Sequence, residues 1–197
     1  MPKRAERAVP QPMIAPVAAP SGTYLVTRAR PVLTHPAPVL AARTAEDDPS
    51  DPAVVALAGV LVTTMRASPA CVGLAAPQIG EGRRMFCMDV TGHPRARSCA
   101  GLVVMVNPRI VARTEPVVMR EGCMSVPDLT GNVARPEEVL VVGLEPGSGR
   151  IIQVEADGIE ARCLQHEIDH LNGLLFLDHV HDPRGLFARR SYASPRG

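Results

Sequence analysis

His166-Glu167-Ile168-Asp169-His170 puts two imidazoles and a carboxylate on one short segment. On an α-helix, positions i and i+4 share a face one turn apart, so both imidazoles can reach a single ion. Glu167, one step round the helix, can then touch a water on that ion, which is the arrangement of a metal-dependent hydrolase. Without a metal the same residues would be two hydrogen-bonded helical histidines with no chemistry.

A catalytic metal needs a third protein ligand and one open position. In the extended pattern H-E-x-x-H-x-x-G-x-x-H, Gly173 is present but the last position is Phe176, which cannot ligate. His179 and His181 stand at the wrong offset and read as surface or loop histidines. Little chain follows them, and Asp182 sits beside Pro183 in a short tail, so the search turns upstream. Five cysteines are available, Cys71, Cys87, Cys99, Cys123 and Cys163. Their odd number, with no secretory signal read, favours free thiols in a reducing compartment and a cytoplasmic location. Cys163 shares the face of His166 in C-x-x-H spacing. A third ligand on the same short helix would crowd the ion, however, and Cys163 reads better as a small apolar wall of a pocket. Cys123 lies in Glu121-Gly122-Cys123-Met124-Ser125, where a glycine permits close backbone approach to a ligand or substrate.

Three segments taken together resemble the peptide deformylase family: Cys71-Val72-Gly73-Leu74-Ala75-Ala76-Pro77-Gln78, then EGCMS at 121–125, then Gln165 with HEIDH through 170. The resemblance runs from about residue 30 to about 180. It implies Cys123, His166 and His170 as metal ligands, Glu167 as general acid/base, and Gln78 with the backbone N–H of Met124 as donors to the reacting carbonyl. It also implies that the backbone of Val72, Gly73 and Gly122 brackets an extended peptide as an added strand. The reaction implied is hydrolysis of the formyl group of N-formylmethionyl nascent chains, giving formate and a free amino terminus. The methionine pocket would be lined by Leu164, Cys163 and Val126. One departure stands out: Cys71 replaces the first glycine of the family pattern. That would strain the backbone if the position needs φ > 0, and would be tolerated if it needs only a small residue.

The implied native ion is Fe²⁺, with Zn²⁺, Ni²⁺ or Co²⁺ able to replace it, although Fe²⁺ is low in the usual affinity order. Two further readings use the same residues. A metallopeptidase is opposed by Phe176 and by EGCMS, and a member that binds formyl-peptides without turnover has only Cys71 in its favour.

The elements that must position these residues follow from pattern. The chain has 197 residues, enough for one domain with a core, and a net charge of +1 gives no strong pull toward DNA or a membrane. Residues 1–22, rich in Pro and Ala, read as a flexible extension, 23–182 as a single catalytic domain, and 183–197 as a basic tail. The tail's arginines also offer a contact with ribosomal RNA. A first helix is expected from Pro52, capped by Asp51 or Ser50, with Val54, Leu57, Leu61 and Met65 facing the core. Strand-like runs follow at 84–90, 102–111, 116–126, 138–144 and 150–155, the last two joined by a turn at 146–149. The motif helix is expected to open on Asp157 and Glu160 as a capping box and to stop at Asn172-Gly173. Strands followed by one central helix predict an α+β fold, mostly antiparallel, with the extra helix at the N-terminal side.

Overall fold

Helix α1 spans Pro52–Ala67, and the Asp51 carboxylate accepts a hydrogen bond from Ala53 N at 2.8 Å. Proline at the first turn costs nothing there, since that N–H has no helical partner. The computed structural model describes residues 24–189, so the segment read as an extension and the chain from residue 190 onward lie outside it.

Among the described residues, eight strands follow the α+β expectation. They are β1 (Gly73–Ala75), β2 (Met85–Met88), β3 (Val103–Arg113), β4 (Pro116–Cys123), β5 (Val126–Pro136), β6 (Glu138–Leu144), β7 (Ile151–Asp157) and β8 (Leu186–Ala188). The motif helix α2 spans Gly158–Leu171. One antiparallel sheet has the order β1-β2-β3-β6-β7, the other β4-β5-β8.

The larger sheet lies between the two helices, and its sequence shows why. Met85, Phe86, Cys87 and Met88 are all fully buried. Side chains alternate across a strand, so Met85 and Cys87 pack with Val54, Leu61 and Met65 of α1. Phe86 and Met88 pack with Leu164, Ile168 and Leu171 of α2. A strand covered on both faces reads as an unbroken apolar run.

Two local expectations are corrected. The run 116–126 is not one strand: it turns at Met124-Ser125, and the chain returns as β5, paired from Pro116↔Pro136 to Gly122↔Thr130. The prolines, Asp128 and Gly131 disguise β5 as loop. Gly131 is required because a Cβ there would lie 2.7 Å from Val180 Cγ2. The capping box at the start of α2 does not form. Asp157 accepts instead from Ser98 N at 3.1 Å, and the buried Glu160 from Ala100 N at 2.6 Å. Both acids therefore anchor the loop before β3 onto the helix.

The segment read as a basic tail from residue 183 is in part structural. β8 pairs with β5 in the register Leu129↔Ala188, Thr130↔Phe187 and Gly131↔Leu186. Arg189 N donates to Asp128 O at 2.7 Å. No helix among the described residues is long and apolar enough to cross a membrane.

Candidate metal centre

α2 carries His166 and His170 on one face, with ring centroids 4.9 Å apart and planes at 82°. Opposite them β4 ends at Cys123, where a register shift after Gly122 turns the strand. Cys123 Sγ lies 3.3 Å from His170 Nε2. One ligand atom from each of Cys123, His166 and His170 falls within 4.8 Å of the other two.

Neighbouring groups fix the donors. His166 Nδ1 is 3.1 Å from Glu121 Oε2, which leaves Nε2 as its free ring nitrogen. Glu121 is held in turn: Arg135 Nε donates to Oε1 at 2.6 Å and Arg135 Nη2 to Oε2 at 3.1 Å. Arg162 Nη1 adds a further bond to Oε1 at 2.6 Å. Arg135 Nη1 reaches Asp169 Oδ2 at 2.6 Å, and His179 Nε2 meets the same oxygen at 2.8 Å. His179 is thus not a plain surface histidine; it closes a charged chain leading to His166.

The electrostatics follow from burial set against these charges. Burial alone would raise Glu121, but the bonds from His166 and Arg135 bring it to about 2. Burial would likewise raise the Cys123 thiol, yet the two imidazoles, by charge and hydrogen bond, hold it well below its ordinary value. A thiolate facing two imidazole nitrogens is the donor set that a borderline or soft divalent cation takes. The residues fit such an ion.

Glu167 is only 3% exposed, and burial is the main cause that raises its carboxyl to about 7, with the two imidazoles opposing. Its Oε2 is buried with no hydrogen-bond partner. The carboxylate lies against β1, where a Cβ on Gly73 would stand 2.5 Å from Glu167 Oε1. Only glycine lets the strand pass this close.

Gln78 is oriented by the backbone. Ala75 N donates to its Oε1 at 2.9 Å, which directs Nε2 toward Cys123 Sγ at 3.6 Å and Ser125 Oγ at 3.2 Å. The amide therefore offers its donor end to the site.

A cavity of about 200 Å³ opens over these groups and is lined by Val72, Gly73, Gly122, Met124 and Cys163 together with Gln78, Cys123, His166 and Glu167. His170 is completely buried behind the thiol. The geometry therefore brings together ten of the twelve residues named from sequence for ligation, proton transfer, carbonyl donation, and backbone or pocket contacts. Leu164 is fully buried in the core against the larger sheet and does not line the cavity. Val126 also packs elsewhere, in the small cluster with Phe176. Spacing on α2 put Leu164 beside Cys163, but the helical turn faces them differently.

Cys71 lines the cavity and its thiol donates to Gly73 O at 3.1 Å. The positive-φ non-glycine residues among those described are Ala70 and Asn107, so Cys71 bears no such strain. Sequence reasoning assigned no role to Glu121, Arg135, Arg162 or Asp169. Glu121 and Asp169 lie inside the quoted motifs, which was the available signal; the two arginines carried none.

The model of the polypeptide deformylase family matches residues 29–185. The chain belongs to the polypeptide deformylase family. It is 41% identical to the peptide deformylase of Agrobacterium fabrum over 154 residues, 77% of this chain and 86% of that one. Against the peptide deformylase of Halothermothrix orenii it is 47% identical over 109 residues, 55% of this chain and 66% of the relative. The crystal structure of the Ehrlichia chaffeensis peptide deformylase in complex with actinonin superposes with a TM-score of 0.73 at 33% identity, covering 80% of this chain and 92% of that one. Deformylases are metal-dependent hydrolases that remove N-formyl groups from nascent peptides, and this chain is one of them.

Proposed function

We propose that deformylation here is carried by Glu167 as the proton carrier beside one divalent cation held by Cys123, His166 and His170, with Fe²⁺ as the native ion. The observation that supports this most is the buried, unpartnered Glu167 oxygen next to three converging donor atoms. When bound, the cation supplies Lewis acidity toward the formyl oxygen and a water acidified toward neutrality.

The protein supplies the rest. Glu167 takes the proton of the attacking water at its free oxygen and returns it to the departing amine, a role typically worth about 10²–10⁴ in rate. Gln78 Nε2 and the Met124 N–H donate to the oxygen that charges up as the formyl carbon becomes tetrahedral. One such donor typically contributes about 2.7–4 kcal/mol. Val72 and Gly73 on one side and Gly122 on the other present backbone to an extended N-formylmethionyl peptide. Cys163 lines the wall that receives the methionine.

The test is formate release from formyl-Met-Ala-Ser by anaerobically prepared, iron-loaded protein, with the unformylated peptide as control. Turnover of the formylated peptide alone is expected. Cleavage of both at a peptide bond would overturn the reading, and so would bound metal without formate. Because a thiolate on Fe²⁺ is open to oxidation, aerobic handling should remove activity while the circular dichroism of the fold persists; loss of both together counts against iron. Zn²⁺, Ni²⁺ or Co²⁺ reloading identifies which ions sustain turnover. We place the protein in the cytoplasm, where formylated chains emerge. A contact of the arginine-rich end with ribosomal RNA is tested by co-sedimentation of the chain lacking residues 190–197; unchanged binding removes it.

A further inference from the structure

The cavity mouth carries more positive charge than deformylation itself calls for. Arg95, Arg120 and Arg189 line it, whereas the carboxylates lining it among the described residues are Glu121 and Glu167. Glu121 is committed to Arg135, Arg162 and His166, and Glu167 lies on the buried floor. Arg95 and Arg120 are exposed, so the rim is cationic on a chain whose net charge is only +1.

Two of these guanidinia are placed by β8. Gly122, Thr130 and Phe187 form one row across β4, β5 and β8. Arg120 precedes Gly122 by two residues and Arg189 follows Phe187 by two, so each pair shares a sheet face. The Arg120 guanidinium stacks on the Phe187 ring, its Cζ 3.4 Å from the centroid. A Cβ on Gly122 would lie 3.2 Å from Arg189 Nη1. Arg189 therefore borders the strand segment that brackets the peptide in the proposed function.

We infer that Arg95 and Arg120 are specificity-determining residues that favour nascent chains with an acidic side chain among the few residues after the formylmethionine. The inference rests on the deformylase reading of this cavity and names its preferred substrate class. A peptide held at Val72, Gly73 and Gly122 leaves the cavity through this rim, so its third or fourth side chain meets the guanidinia. Unlike charges attract across such a mouth and like charges are repelled, an effect that salt screens.

The experiment compares kcat/KM for formyl-Met-Ala-X-Ser amides with X as Glu, Gln or Lys, and for a second set with the variable residue one position later. The C-terminal amide removes the terminal carboxylate, so any preference comes from the side chain. Glu peptides should exceed Lys peptides by about tenfold at low ionic strength, with Gln between, and the ratio should shrink toward one near about 0.5 M salt. In Arg95→Glu and Arg120→Glu, with each rate taken relative to the same variant's Gln peptide, the order should reverse toward Lys. A merely structural arginine would lower all three rates without reversing them. Equal rates in both sets, or a Glu preference that survives charge reversal, overturns the inference. So does a ratio of one accompanied by weakened ribosome co-sedimentation in the variants, which would assign the rim to RNA. No formate from any peptide, Gln included, would instead overturn the deformylase reading, and this inference with it.

Discussion

The two sides of α2 solve different problems. Toward the larger sheet it offers Leu164, Ile168 and Leu171 to an apolar layer that includes Phe86, Met88 and Met105. Toward the smaller sheet it offers Arg162, His166, Asp169 and His170 to the charges of Glu121 on β4 and Arg135 on β5. The apolar side is a sum of similar contacts, each replaceable by a residue of like volume. The charged side is a chain in which every member satisfies the next, and a missing member leaves a buried charge alone. One helix thus joins a tolerant half to an intolerant one.

The largest effect should come from the intolerant half. Glu167→Ala is expected to keep stoichiometric metal, measured by elemental analysis, and to lose formate release by about 10²–10⁴. Cys123→Ala should lose both. Metal retained by Cys123→Ala would break the assignment of the donors.

Removing Arg135 tests the charge chain behind them. Arg135→Leu should cost about 3–5 kcal/mol in urea unfolding, because Glu121 and Asp169 stay buried with less compensation. Glu121→Gln combined with Arg135→Leu should recover part of that loss. Costs that simply add would show that the two residues do not act as a pair.

On the tolerant side, Leu61→Ala and Leu164→Ala should each cost about 2–5 kcal/mol. They sit in separate clusters on opposite faces of the larger sheet, so the double variant should equal the sum within about 0.5 kcal/mol. Leu164→Ala should leave KM for formyl-Met-Ala-Ser unchanged; a raised KM would return Leu164 to the methionine pocket. The smallest effect belongs to the Asp51 cap, where Asp51→Ala should cost about 1 kcal/mol.

Sequence was informative where a signal is local. The start of α1 at Pro52 and the stop of α2, with Asn172 as cap and Gly173 at φ +74°, follow from residue chemistry that acts within one turn. The strand runs of the larger sheet showed because burial on two faces leaves long apolar stretches. β5 was hidden because its prolines and Gly131 answer to neighbours far away in the chain. The capping-box pattern at Asp157 and Glu160 failed for a related reason: Ser98 and Ala100 N–H groups compete for those carboxylates, and proximity of the two segments is a tertiary fact.

By itself, then, the sequence determined which atoms could bind a metal, which carboxylate could move a proton, and the helical spacing that puts His166 and His170 on one face. Only the folded chain decided that Cys123 meets them, that Glu121 and Arg135 hold His166, that Leu164 turns away, and that β8 returns to set arginines at the rim. Spacing on a helix is fixed by the rise and turn of one element. Meetings between segments some forty residues apart are fixed by how sheets and helices bury their faces, and no local pattern encodes that.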